Sequence, residues 1–92
     1  MVALVPLRGE IDVAEAPAVE RRLADALAAG RNVVVDLREV TFIDSSGLAV
    51  LVRAAQTAAR AGRDLRLLRP RPLVMRTFEV AGLTERLPFA DG

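Results

Sequence analysis

The chain has 92 residues, 52% hydrophobic and 27% charged, with a formal net charge of +1, which suits a single domain spanning 1–92 with a modest core. It contains no His, Cys, Lys, Tyr or Trp, which removes disulfides and thiolate metal sites, the usual general base near neutral pH and Schiff-base chemistry. No apolar run nears the roughly 18–20 residues of a membrane span and no basic-then-apolar leader opens the chain, so a cytoplasmic protein without metal or cofactor is expected.

In chain order, Val2–Leu7 alternates weakly and reads as a first strand. Pro6 lacks an N–H and so predicts an edge position. Arg8-Gly9-Glu10 reads as a turn. A helix is expected from Asp12, with Glu15 three residues on as in a capping box. Val19, Leu23, Ala26 and Leu27 share one face of it, and Gly30 suits the position just past its end. Val33–Leu37 is a short apolar run rich in Val, the pattern of a central parallel strand covered on both faces. Phe42 and Ile43 are expected to close the following loop onto the core.

A second helix is predicted from about Ser46 to Ala61, with Leu48, Leu51, Val52, Ala55 and Ala59 as its buried stripe and Gly62 as its end. Leu65–Leu68 reads as a strand. A short helix follows over Leu73–Val80, with Val74 and Phe78 inward and Gly82 ending it. Leu83, Leu87 and Phe89 form an apolar tail able to add a last strand, and Phe42, Phe78 and Leu83 are taken as core. Strands alternating with helices place the chain in the α/β class, with right-handed crossovers.

The segment Asp44-Ser45-Ser46-Gly47 is the most informative part of the chain. It places hydroxyls at a helix N-terminus, where free N–H groups and the helix dipole favour negative charge. A serine there can serve as a cap, an anion site or a phosphorylation switch. Ser45 reads as the cap, which engages its hydroxyl and leaves that of Ser46 pointing outward. Asp44 is either a second capping group or a partner contact. Gly47 allows close approach of a partner or of the neighbouring loop. Asp12 reads first as a cap, with its loop near Ser46.

Charge is uneven: residues 1–45 carry five Arg against eight acids, and residues 46–92 carry eight Arg against four. No aromatic side chains interleave with Arg66, Arg69, Arg71 and Arg76, so these read as a solvated rim rather than a nucleic-acid surface. They are expected to lie outside any contact made by the acidic loops.

In their order and spacing, Gly9-Glu10-Ile11-Asp12, Val33-Val34-Val35-Asp36-Leu37, Phe42-Ile43-Asp44-Ser45-Ser46-Gly47-Leu48 and Phe78-Glu79-Val80-Ala81-Gly82-Leu83 resemble the STAS domain, in its bacterial anti-sigma factor antagonist form. That resemblance implies one α/β domain with a mixed sheet of four to five strands and helices mostly on one face. Relatives usually carry an extra strand before the Val2–Leu7 segment and often a further helix at the end. It implies a cytoplasmic regulator, not an enzyme, that binds an anti-sigma factor, itself a serine kinase, and so frees a sigma factor. Phosphorylation of Ser46 would break the complex and a serine phosphatase would restore it. Asp12, Asp44, Ser45, Ser46 and Gly47 become the partner-binding set. The alternative within the family is a STAS subunit of a phospholipid ABC transport system, contacting its ATPase. A serine hydrolase is disfavoured, because Gly-x-Ser-x-Gly is absent and no His stands ready to activate a serine.

Overall fold

In the computed structural model, which describes residues 2–91, four strands alternate with three helices: β1 (Val2–Ile11), α1 (Ala16–Ala28), β2 (Asn32–Ile43), α2 (Ser45–Arg60), β3 (Leu65–Leu68), α3 (Pro72–Val80) and β4 (Phe89–Ala90). The strands form one sheet in the order β1-β2-β3-β4. All three pairings are parallel, where a mixed sheet was expected. A helix-containing connection returns the chain to the same end of the sheet before each new strand, and this generates parallel neighbours. β1 is an edge, as Pro6 requires, and the Pro6 carbonyl accepts from Arg22 Nη2 at 3.0 Å.

The core lies between one face of the sheet and the helices. Val5, Leu7 and Ile11 of β1, Val33, Val35 and Leu37 of β2, and Leu65 and Leu67 of β3 are buried against Leu23, Leu51 and Phe78 of the three helices. The opposite face is open: Val2, Leu4 and Arg66 are exposed, while Val34 and Leu68 are half-buried. The Val33–Leu37 segment is therefore covered on one face, not two. The tail adds β4 beside β3, and Phe89 meets Phe78 edge to face at 5.2 Å between centroids, a favourable aromatic geometry.

Two expectations fail together at the ends of the first two strands. Arg8-Gly9-Glu10 is not a turn, because β1 and β2 continue as a pair to Ile11 and Ile43, with register shifts at Pro6/Arg8 and Gly9/Glu10. Gly9 takes φ +72°, which permits the local kink where a residue with a Cβ is strained. The shifts also change which side chains face inward: Val40 and Ile43 are buried while Phe42 is 48% exposed. Phe42 is thus not core. Leu83 is only half-buried, and Ala59 of the expected α2 stripe is exposed where Ala54 and Ala58 are buried.

Candidate functional site

Running β1 and β2 side by side to Ile11 and Ile43 sets their next residues, Asp12 and Asp44, on one edge of the sheet. Asp44 N–H donates to the Ile11 carbonyl at 3.3 Å, which ties the two ends together. Asp44 is in extended conformation and is the N-cap of α2. Its Oδ1 accepts from Ser46 N at 2.9 Å and Gly47 N at 3.3 Å, satisfying two of the donors that a helix start leaves open.

Ser45 is accordingly not the cap. It is the first residue of α2 and exposed, whereas Ser46 is half-buried. Neither hydroxyl has a hydrogen-bond partner among the described residues. A carboxylate took the role expected of a hydroxyl because Asp44 sits one position earlier with extended φ and ψ.

Gly47 is buried, and the reason is steric. A Cβ there would lie 2.8 Å from the Ile11 carbonyl oxygen, 2.7 Å from Ile43 Cγ1 and 2.9 Å from Ile11 Cγ2. Only glycine lets the first turn of α2 press against the end of β1. Its part in the edge is therefore to seat the serine pair.

Asp12 caps a turn and not the helix. Its Oδ1 accepts from Ala14 N at 3.0 Å and Glu15 N at 3.1 Å. Helix α1 begins at Ala16, with Pro17 in its first turn, and Glu15 makes no side-chain capping bond. Only half of the capping box forms: Asp12 accepts from Glu15 N, but the Glu15 side chain returns no bond to the Asp12 N–H. Val13, exposed at the tip of that turn, is a feature the sequence reading passed over. Glu10, Asp12 and Asp44 give the edge its acidic character, and Glu10 is exposed.

Among the described residues no group of three or more His, Cys, Asp or Glu is arranged to hold a metal ion. No helix among them is long and apolar enough to cross a membrane.

The family model for the STAS domain matches residues 1–91. The chain is 31% identical over 81 residues to the anti-sigma-B factor antagonist of Bacillus subtilis, covering 88% of this chain and 74% of that protein. Among solved structures, an anti-sigma factor antagonist from Mycobacterium paratuberculosis superposes with a TM-score of 0.88 at 27% identity, over 99% of this chain and 78% of that one. SpoIIAA, an anti-sigma factor antagonist solved in unphosphorylated and phosphorylated forms, shares the fold at 20% identity, with TM-scores of 0.76 and 0.75, over 99% of this chain and 80% and 82% of the respective SpoIIAA chains. With a match over nearly its whole length and the four-stranded sheet just described, the chain belongs to the STAS domain family.

Proposed function

We propose that this chain is an anti-sigma factor antagonist, a cytoplasmic binding protein without catalytic activity. It binds an anti-sigma factor that is also a serine kinase, and binding frees a sigma factor. Phosphorylation at Ser46 ends the complex, and a serine phosphatase resets it. The observation that carries this reading is the serine pair itself: two unengaged hydroxyls at the start of α2, held beside Asp12 and Asp44 on one acidic edge. The names of the relatives support the partner class, and the phosphorylated form of SpoIIAA supports the switch.

The preference for Ser46 as acceptor rests first on its place as the second serine of the Asp-Ser-Ser-Gly motif, and second on Ser45 being the cap. With Asp44 as the cap the second reason falls away, while the first stands. We therefore place the phosphate on Ser46, with the exposed Ser45 as the alternative acceptor. A phosphate at either position adds about −1.5 to −2 charges. The helix N-terminus tolerates that charge, so the fold survives, while an interface that covers it faces an uncompensated dianion.

Affinity capture from native lysate, with mass spectrometry of partners and of the 39–53 segment, tests the reading. A kinase-type anti-sigma factor should be recovered by the wild type and lost with Ser45→Asp or Ser46→Asp, whose melting temperatures stay within a few degrees. Recovery of an ABC ATPase would replace the proposal with the transport-subunit reading. Undiminished capture by both aspartate variants would remove the serine pair from the interface.

A further inference from the structure

Helix α3 carries a second apolar stripe that the core does not use. Val74 and Phe78 face inward and are buried, whereas Leu73 and Val80 are 85% and 83% exposed. Leu73, Arg76, Thr77 and Val80 fall at i, i+3, i+4 and i+7, one face of the helix. Scattered exposed aliphatics are ordinary. These line a single open groove of about 440 Å³, whose other wall is Ser45 and Leu48 of α2. The groove is thus continuous with the proposed switch.

Its charge is as informative as its shape. Arg66, Arg69 and Arg71 are paired with Asp64, Asp91 and Glu39. Arg76 has no ion pair or hydrogen bond among the described residues, and no acid lines the groove beside it. Arg76 is exposed, as the solvated-rim reading expected, but of these four arginines it alone is without a partner among the described residues.

We propose that the groove seats an amphipathic helix of the anti-sigma factor, laying apolar side chains between Leu48, Leu73 and Val80 and a carboxylate against Arg76. This rests on the proposed function and extends its interface onto α3. Helix-in-groove docking uses this pattern of spaced apolar anchors. A partner that meets both the Glu10–Asp12–Asp44 edge and Arg76 must present base to one and acid to the other, which sets its orientation. Phosphate on the serine pair then lies at the groove wall, which Ser45 lines, where it repels the partner's carboxylate and competes for Arg76.

The test places the photo-cross-linker p-benzoylphenylalanine singly at positions 73, 80, 12 and, as a control on the open sheet face, 2, followed by irradiation in native lysate. Thermal melts confirm that each variant is folded. Positions 73, 80 and 12 should label one protein and position 2 should not. The peptide joined to 73 and 80 should carry apolar residues at helical spacing with an Asp or Glu among them. Adding Arg76→Glu should lower labelling from 73 about tenfold, the effect of losing one interface anchor. Labelling from 12 alone overturns the groove proposal and leaves the proposed function standing. A second copy of this chain at 73 and 80, a peptide without an acid, or indifference to Arg76→Glu also overturns it. No labelling from 12, 73 or 80 overturns both readings.

Discussion

Asp12 and Asp44 make a natural comparison. Each follows one of two neighbouring parallel strands, and each carboxylate accepts from two backbone N–H groups two and three residues on. After Asp44 a helix starts at once; after Asp12 the chain makes an exposed turn and the helix waits until Ala16. The third residue onward is Gly47 in one case and Glu15 in the other. Gly47 lets backbone press on backbone at Ile11, while Glu15 is exposed and needs solvent. The same local hydrogen-bond device therefore yields a closely packed platform at α2 and a projecting turn at α1. The switch proposed here sits on the closely packed member of the pair, at a helix N-terminus that accommodates added negative charge.

The comparison breaks most visibly at Gly47. Gly47→Ala places a methyl group within 3 Å of backbone and core atoms and should cost about 1–3 kcal/mol, a fall in Tm of roughly 5–20 °C for a domain of this size; Gly47→Val should cost more. A thermal melt unchanged by Gly47→Ala would mean the two helix starts are held alike. Next in size is the effect on association with the captured anti-sigma factor. Asp12→Arg should slow it about tenfold, because a rim charge of the acidic edge steers the encounter, while Arg71→Glu, on a side chain turned toward Glu39, should leave the rate within about twofold. Stopped-flow measurements showing the reverse order would move the interface away from this edge.

Capping sharpens the contrast further. Asp44→Ala should destabilise by about 1 kcal/mol, the usual loss of an N-cap. Asp12→Ala, which frees only an exposed turn, should cost less than about half of that in the same chemical denaturation series. Equal losses would show that the Asp12 turn supports α1 as firmly as Asp44 supports α2. The smallest effect lies at Asp36. Hydrogen bonds from the Arg38 side chain and backbone N–H hold its carboxyl below the usual carboxylate value. Since the folded value is the lower one, the stability it contributes is present above the unfolded pKa and lost as pH falls through the folded value. Arg38→Gln should slightly lower the melting temperature at pH 7 and lessen its decline on acidification below about pH 4.

Much of this protein is dictated locally. The periodicity of Leu23 and Leu27, of Leu48 and Leu51, and of Val74 and Phe78 marks the buried faces of three helices, because a 3.6-residue repeat has one way to hide its apolar side. The Val-rich run at 33–35 marks a strand, and Gly30, Gly62 and Gly82 end the helices with positive φ, a conformation that only glycine takes at little cost. The Asp-Ser-Ser-Gly segment is recognisable as a site by its place between strand and helix.

Tertiary contacts decided the rest. Whether Asp44 or Ser45 caps α2 depends on the chain's angle out of β2, and two adjacent residues of similar capping strength leave that open to local rules. The extension of β1 through Gly9, with Phe42 turned outward, needs β2 as a partner, since a register shift exists only between two strands. Gly47 gains its role from Ile11, thirty-six positions earlier in the chain. The groove that sets Arg76 beside Ser45 joins side chains of α2 and α3. Periodicity reports which face of each element is buried, but only packing determines which neighbouring element it meets.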